Sequence, residues 1–160
     1  MLRFKSSGGG AVVRKAWDTL KRIPGGKMVF SKMIGRAAPY TGTIDPRVQE
    51  LRYGYCEVQM ADRTQVRNHL GSIHAIALMN VAEAASGAMM MYGIPDDARG
   101  ILTGLSIEYK KKARGTLTAI CDEDPPTTSE RQEYEIGVSI YDEEGDEVAH
   151  ARAQWLIGPR

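Results

Sequence analysis

The feature that most constrains this chain is the run from Ile73 to Met91, rich in Ala and Met and apolar on nearly every side of a helix. A helix of that kind must be wrapped by other elements, because covering one face leaves the rest in water. His74, Asn80, Glu83, Ser86 and Gly87 interrupt the run, which makes it a buried helix and a poor membrane span. The wrapping material lies on both sides. Upstream, residues 47–60 (RVQELRYGYCEVQM) set Leu51, Tyr53 and Tyr55 on one parity and Gly54, Cys56 and Val58 on the other, which predicts one long strand. Downstream, strands are predicted over 100–112, 115–123, 131–142 and 147–157, with turn signals at Arg114-Gly115, Pro125-Pro126 and Glu144-Gly145-Asp146. The third of these is the clearest, since Tyr134, Ile136, Val138 and Ile140 alternate with Glu133, Glu135, Gly137 and Ser139. Links this short leave no room for crossover helices, so the sheet is expected to be antiparallel.

One strand, a long apolar helix and four strands is an order in which a curved antiparallel sheet can wrap a central helix, the hotdog architecture. Before it, Val12, Val13, Ala16, Trp17 and Leu20 fall at helical spacing until Pro24-Gly25-Gly26, and Met28, Val29, Met33 and Ile34 predict a second short helix ending near Gly35. Both helices are expected to be peripheral, dividing the chain into an N-terminal helical extension (1–39) and a hotdog domain (40–160). A single subunit of this size leaves a sheet edge open, so self-association about a two-fold axis is expected.

Twenty-one basic residues against twenty acidic ones give a net charge of +1, which argues against nucleic acid as a partner because phosphate binding usually needs a basic excess. Cys56 and Cys121 show no zinc spacing and no disulfide-scaffold density, so both are expected to be reduced core residues. Met1 to Gly10 carries Arg3 and Lys5 but runs into Ser6, Ser7 and glycines without an apolar signal core. A cytoplasmic location and no membrane partner are the expectations.

The chemistry concentrates in Arg67-Asn68-His69-Leu70-Gly71-Ser72-Ile73-His74-Ala75, followed by Glu83 on the helix. On these residues the chain resembles the PaaI-like hotdog thioesterases, and more closely the related uncharacterised DUF4442-type proteins with an N-H-x-G-x-x-H loop, over roughly residues 40–157. In those enzymes an Asn begins the loop, a His-Gly pair opens the central helix, and an acid lies fifteen positions after the Asn. Asn68 and Glu83 reproduce that separation, while His74-Ala75 stands where His-Gly is usual. The resemblance implies an α+β hotdog fold, hydrolysis of an acyl-CoA or related acyl thioester, and active sites shared between subunits of a homodimer or dimer of dimers. It implies no metal and no cofactor, coenzyme A entering only as part of the substrate.

The residues support this reading independently. Ser72 is a suitable N-cap, so amides of the first helical turn near Ala75 would point outward unpaired, with the positive helix end behind them, and could stabilise the oxyanion formed when water attacks a thioester. A Cβ at Ala75 narrows the approach to that backbone. Glu83, among Val81, Ala82, Ala84 and Ala85, loses hydration unless compensated, which would raise its pKa toward that of a useful base; the competing role is a structural pair with an Arg. Asn68 can orient water or substrate, or hold the loop by an Asx turn. His74 is expected to fix the loop by a hydrogen bond, and Gly71 and Ser72 to lie against the substrate. Met89, Met90 and Met91 either pack the core or line an acyl channel.

Nine residues separate His74 from Glu83, about 13 Å along the axis and half a turn around it, so one subunit cannot aim both at one ligand. Finally, Tyr109-Lys110-Lys111-Lys112-Ala113-Arg114 resembles the family's Tyr-x-x-Pro-Ala-Arg segment, with Lys112 in the Pro position. Lys110, Lys111 and Arg114 are candidates for the phosphates of coenzyme A; a solvated basic turn that discourages edge pairing is the alternative. Two further functions fit the same chain, a non-catalytic acyl-CoA-binding hotdog protein and, less well, a hotdog dehydratase.

Overall fold

In the computed structural model, which describes residues 9–160, the chain runs α1 (Gly9–Leu20), α2 (Gly26–Ala37), the single turn α3 (Pro39–Gly42), β1 (Arg47–Arg52), β2 (Tyr55–Met60), α4 (Ala75–Gly93), β3 (Ala98–Tyr109), β4 (Leu117–Asp122), β5 (Gln132–Tyr141) and β6 (Glu147–Pro159). A 3-10 turn at Thr64–Val66 begins the loop before α4. The absence of a signal core over residues 1–8, and the start of the expected N-terminal extension, lie outside the described residues. No helix among the described residues is long and apolar enough to cross a membrane.

All six strands join one antiparallel sheet in the order β1-β2-β4-β5-β6-β3, packed on α4 as the α+β reading requires. The predicted long strand over 47–60 is instead a hairpin. Gly54 sits at φ 71, a conformation open to glycine at no steric cost, so the chain reverses there and Leu51 pairs with Cys56. Parity alone could not reveal this, because residues on both arms of a tight hairpin keep alternating.

The sheet can close on α4 because the contact is made of small side chains. Ala82 and Ala85 on the helix and Ala149, Ala151 and Ala153 on β6 are completely buried, and the helix backbone comes close to the sheet at β4, where Cys121 Sγ lies 3.4 Å from the Ala85 carbonyl oxygen. Larger residues fill the remainder: Met89 and Met90 from α4, Met60 from β2, and Ile136, Val138 and Ile140 from β5, each contributing about 1.5–3 kcal/mol by leaving water. Cys56 and Cys121 are buried free thiols in directly opposed positions of β2 and β4.

The N-terminal helices do more than flank this core. Trp17 of α1 and Phe30 of α2 stack edge to face with ring centroids 5.1 Å apart, and both belong to the buried cluster that includes α4 and the sheet. Of the residues that mark α2 in the sequence, only Ile34 packs inward, while Met28, Val29 and Met33 are exposed. The sheet edges are β1, short and broken by a register shift between Val48 and Glu50, and β3, twelve residues long.

Candidate functional site

The loop before α4 is built by Asn68. Its Oδ1 accepts from the Leu70 amide at 2.9 Å, the Ser72 amide at 3.2 Å and the Ser72 hydroxyl at 3.3 Å, while its backbone N–H donates to the Ser72 carbonyl at 2.8 Å. Gly71, at φ 70, supplies the left-handed step that lets so short a loop close. Ser72 is therefore buried inside the loop and does not cap the helix. The cap is His74: its backbone is extended, and its Nδ1 accepts from the Ile76 amide at 3.0 Å. That bond uses the Nδ1 lone pair, so the tautomer that caps the helix carries its proton on Nε2.

Capping by His74 leaves Ala75 as the first helical residue, and among the described residues its N–H meets no protein acceptor, as expected at an N-terminus. A shallow cavity of about 350 Å³ opens there, with Asn68, Ser72, Ala75, Tyr109, Lys110 and Lys111 on its walls. The Tyr109 hydroxyl donates to the Ala75 carbonyl at 3.0 Å, tying the end of β3 to the first turn of α4. The structure thus gathers most of the predicted loop and basic residues in one place. Gly71 and Arg114 are exposed outside this cavity, and His74 lines a different depression.

Much of the basic charge is already neutralised. Lys110 pairs with Glu147. Lys111 reaches Asp142 at 2.8 Å, Asp146 at 2.6 Å and Glu144 at 3.3 Å, and hydrogen bonds to these carboxylates, that to Asp142 foremost, hold its ammonium pKa above the usual range. Among the described residues, Lys112 and Arg114 form no ion pair.

Glu83 stands apart from all of these. It lies on the wall of a second cavity, of about 450 Å³, enclosed by α1, α2, α4 and the end of β6 and lined by Val13, Ile34, Ala88, Met91 and Trp155. Burial in this apolar surround pushes its carboxyl pKa up, and the Thr41 hydroxyl beside it acts in the opposite direction. Among the described residues Glu83 forms no ion pair, burial and Thr41 being the influences on its carboxyl, although Arg160 lines the same cavity. Trp155 is 6% exposed, and its indole N–H finds no acceptor among the described residues. Gly87 lies beside both, a methyl group there standing in ordinary contact at 3.4 Å from the indole ring and 3.8 Å from Glu83 Oε1. The three methionines divide: Met89 and Met90 are core, and Met91 faces the cavity. Thr41 and Trp155 were missed in the sequence. Trp155 was visible only as one inward parity of β6, and nothing distinguished Thr41 within its Pro- and Gly-rich turn.

A family model described as "Domain of unknown function (DUF4442)" matches residues 26–157. The chain belongs to the DUF4442 family. Among solved structures, a structural-genomics protein, APC5556, is similar at a TM-score of 0.80 with 34% identity, covering 93% of this chain and 99% of its own. PA5026 from Pseudomonas aeruginosa, a protein of unknown function described as a probable thioesterase, superposes at 0.75 with 20% identity, covering 86% and 97%. A thioesterase from Staphylococcus aureus, SAV0944, superposes at 0.68 with 15% identity over 76% of this chain and 100% of its own. No curated protein matches the sequence. The fold is therefore the hotdog fold of known thioesterases. The DUF4442 match begins at residue 26, so α2, Thr41, Glu83 and Trp155 fall within it, whereas α1 and its cavity residue Val13 precede it.

Proposed function

We propose that the chain hydrolyses acyl thioesters, acyl-CoA foremost. The observation that carries the reading is a carboxyl with an upward-shifted pKa on the wall of an apolar cavity with room for an acyl group. Glu83 takes a proton from water, and the hydroxide formed attacks the thioester carbon. The carbonyl oxygen gains the negative charge, which the Ala75 amide and the helix N-terminus stabilise. Collapse breaks the C–S bond, and the proton held by Glu83 passes to the departing thiolate. Asn68 enters as a positioning residue: its Oδ1 is engaged in the loop that presents the helix end, and the residue lines the cavity beside Ala75.

Base and oxyanion donor occupy different cavities of one subunit, so the reading needs a second copy. Strand β3 supplies the geometry. Leu102, toward one end, pairs with Trp155; Tyr109, at the other end, holds Ala75. Antiparallel pairing of β3 with a second β3 about a two-fold axis sets the Leu102 end of each copy against the Tyr109 end of the other. It would also cover Ile101, 53% exposed on this edge strand. The protein is accordingly expected to sediment at micromolar concentration as a dimer or larger; a monomer alone would reject the shared site.

Of the basic segment, Lys112 and Arg114 are the cations left for the phosphates of coenzyme A. Changing both to Ala is expected to raise KM for acyl-CoA several-fold at low ionic strength, with the difference shrinking as salt is added. Unchanged kinetics at low salt would make the segment a solvated turn. The second reading, acyl-CoA binding without turnover, is favoured by one feature, Ala75 in the Gly position. A panel of acyl thioesters separates the two: saturable release of thiol is expected, and tight binding without release would replace hydrolysis by binding.

A further inference from the structure

The stretch from Thr19 to Ile44 contains Lys21, Arg22, Lys27, Lys32 and Arg36 and not one acidic residue. The same stretch exposes apolar side chains, Ile23, Met28, Val29 and Met33 being 40–64% accessible. On α2 the two kinds share a face. Steps of about 100° per residue place Met28, Lys32, Arg36, Val29 and Met33 within an arc of about 140°, opposite the buried Phe30. Lys27 turns away to the Gln49 carbonyl and the Trp17 ring, Lys21 pairs with Asp18 and Lys32 with Asp45, and with these two acids counted the face keeps an excess of two positive charges.

We infer that the outer face of α2, with the Ile23 turn before it, is a docking surface for an anionic lipid membrane. Lys32 and Arg36 border an open depression of about 380 Å³ shared with Gly35, Pro39 and Asp45, while Met28, Val29 and Met33 stand outside it; exposed apolar side chains with no groove of their own, flanked by cations, suit a deformable anionic surface. Long, flexible Met side chains beside cations suit the level where acyl chains meet headgroups: Met28, Val29 and Met33 enter the apolar layer while Lys32 and Arg36 reach the phosphates. The expectation of no membrane partner came from the interrupted run at 73–91, which concerns crossing a bilayer; α2 would lie on one. The inference is independent of the thioester reading.

Co-sedimentation of the full chain with phosphatidylcholine vesicles, with and without added phosphatidylglycerol, tests it. Binding is expected only to the phosphatidylglycerol vesicles and is expected to weaken with salt. Two double variants, Val29→Asp/Met33→Asp and Lys32→Gln/Arg36→Gln, should each lose more than about tenfold in affinity with unchanged circular dichroism. The second variant keeps the apolar residues, so the test survives if the first disturbs the fold. Binding to neither vesicle, or equally to both, would overturn the proposal. So would a wild-type oligomer that dissociates in Val29→Asp/Met33→Asp, which would make a second copy the occupant of this face.

Discussion

Glu83→Gln is expected to lower turnover of an acyl thioester by about 10²–10⁴-fold with the fold intact. Gln keeps the volume and the hydrogen-bonding reach toward Thr41 but cannot accept a proton from water. The pH behaviour makes the test sharper. In the wild type the base form of Glu83 is needed, so kcat/KM should rise with pH through the elevated carboxyl pKa, and the residual activity of the variant should lack that limb. Stability should move the other way. Burial raises the pKa of Glu83, so the folded chain holds this proton more tightly than the unfolded one. The associated stabilisation is complete below the ordinary carboxylate range and is lost as pH rises through the raised value. At pH above that raised value the wild type therefore carries a poorly solvated charge that Gln lacks. Thermal unfolding of Glu83→Gln should occur at an equal or higher temperature there, with any advantage shrinking in acid. A large fall in stability with chemistry nearly unchanged would return Glu83 to a structural role.

Ala75→Pro should lower kcat by about 10²–10³-fold, the effect of deleting one oxyanion donor. The substitution is unusually mild for the fold. Proline is well tolerated at the first helical position, and His74, at φ −65 and ψ 140, already has the extended backbone that a following proline requires. What disappears is the Ala75 N–H, which has no acceptor among the described residues. Mixing provides the stricter measurement. Subunits carrying Glu83→Gln, combined with subunits carrying Ala75→Pro, would form dimers with one pocket wild-type at both positions and one altered at both. Partial activity should return relative to either parent. Failure to recover it in confirmed mixed dimers, with both parents folded and inactive, would reject the placement of base and donor on opposite subunits.

The fold was legible because its strongest demand, a helix needing cover on all sides, is a property of composition along one segment. Strand parity in Tyr134–Ile140 and the turn signals then fixed most of the sheet. The hairpin at Gly54 escaped because alternation does not register a reversal. The cap was misplaced because Ser72 has the stronger intrinsic preference, yet Asn68 claims its amide and hydroxyl, leaving His74 to serve. Charge pairing was invisible for a different reason: Lys111 meets Asp142, Glu144 and Asp146 only when β3 and the β5–β6 turn come together. The cavity around Glu83 draws on residues from Val13 to Trp155, separations at which local sequence carries no pairing information.

The buried alanines of α4 and β6 also set where this protein can vary. At Ala82, Ala85, Ala149, Ala151 and Ala153 any larger side chain would wedge helix and sheet apart, so the wall that holds Glu83 tolerates almost no drift. The opposite wall of the cavity is made by Val13 and Ile34, on helices that pack against the core from outside. Enlarging or trimming those two positions reshapes the chamber without moving the carboxylate. Mutational freedom is thus concentrated on one side of the cavity, and if the chamber holds an acyl group as proposed, a lineage could change which one while the helix carrying Glu83 stays fixed.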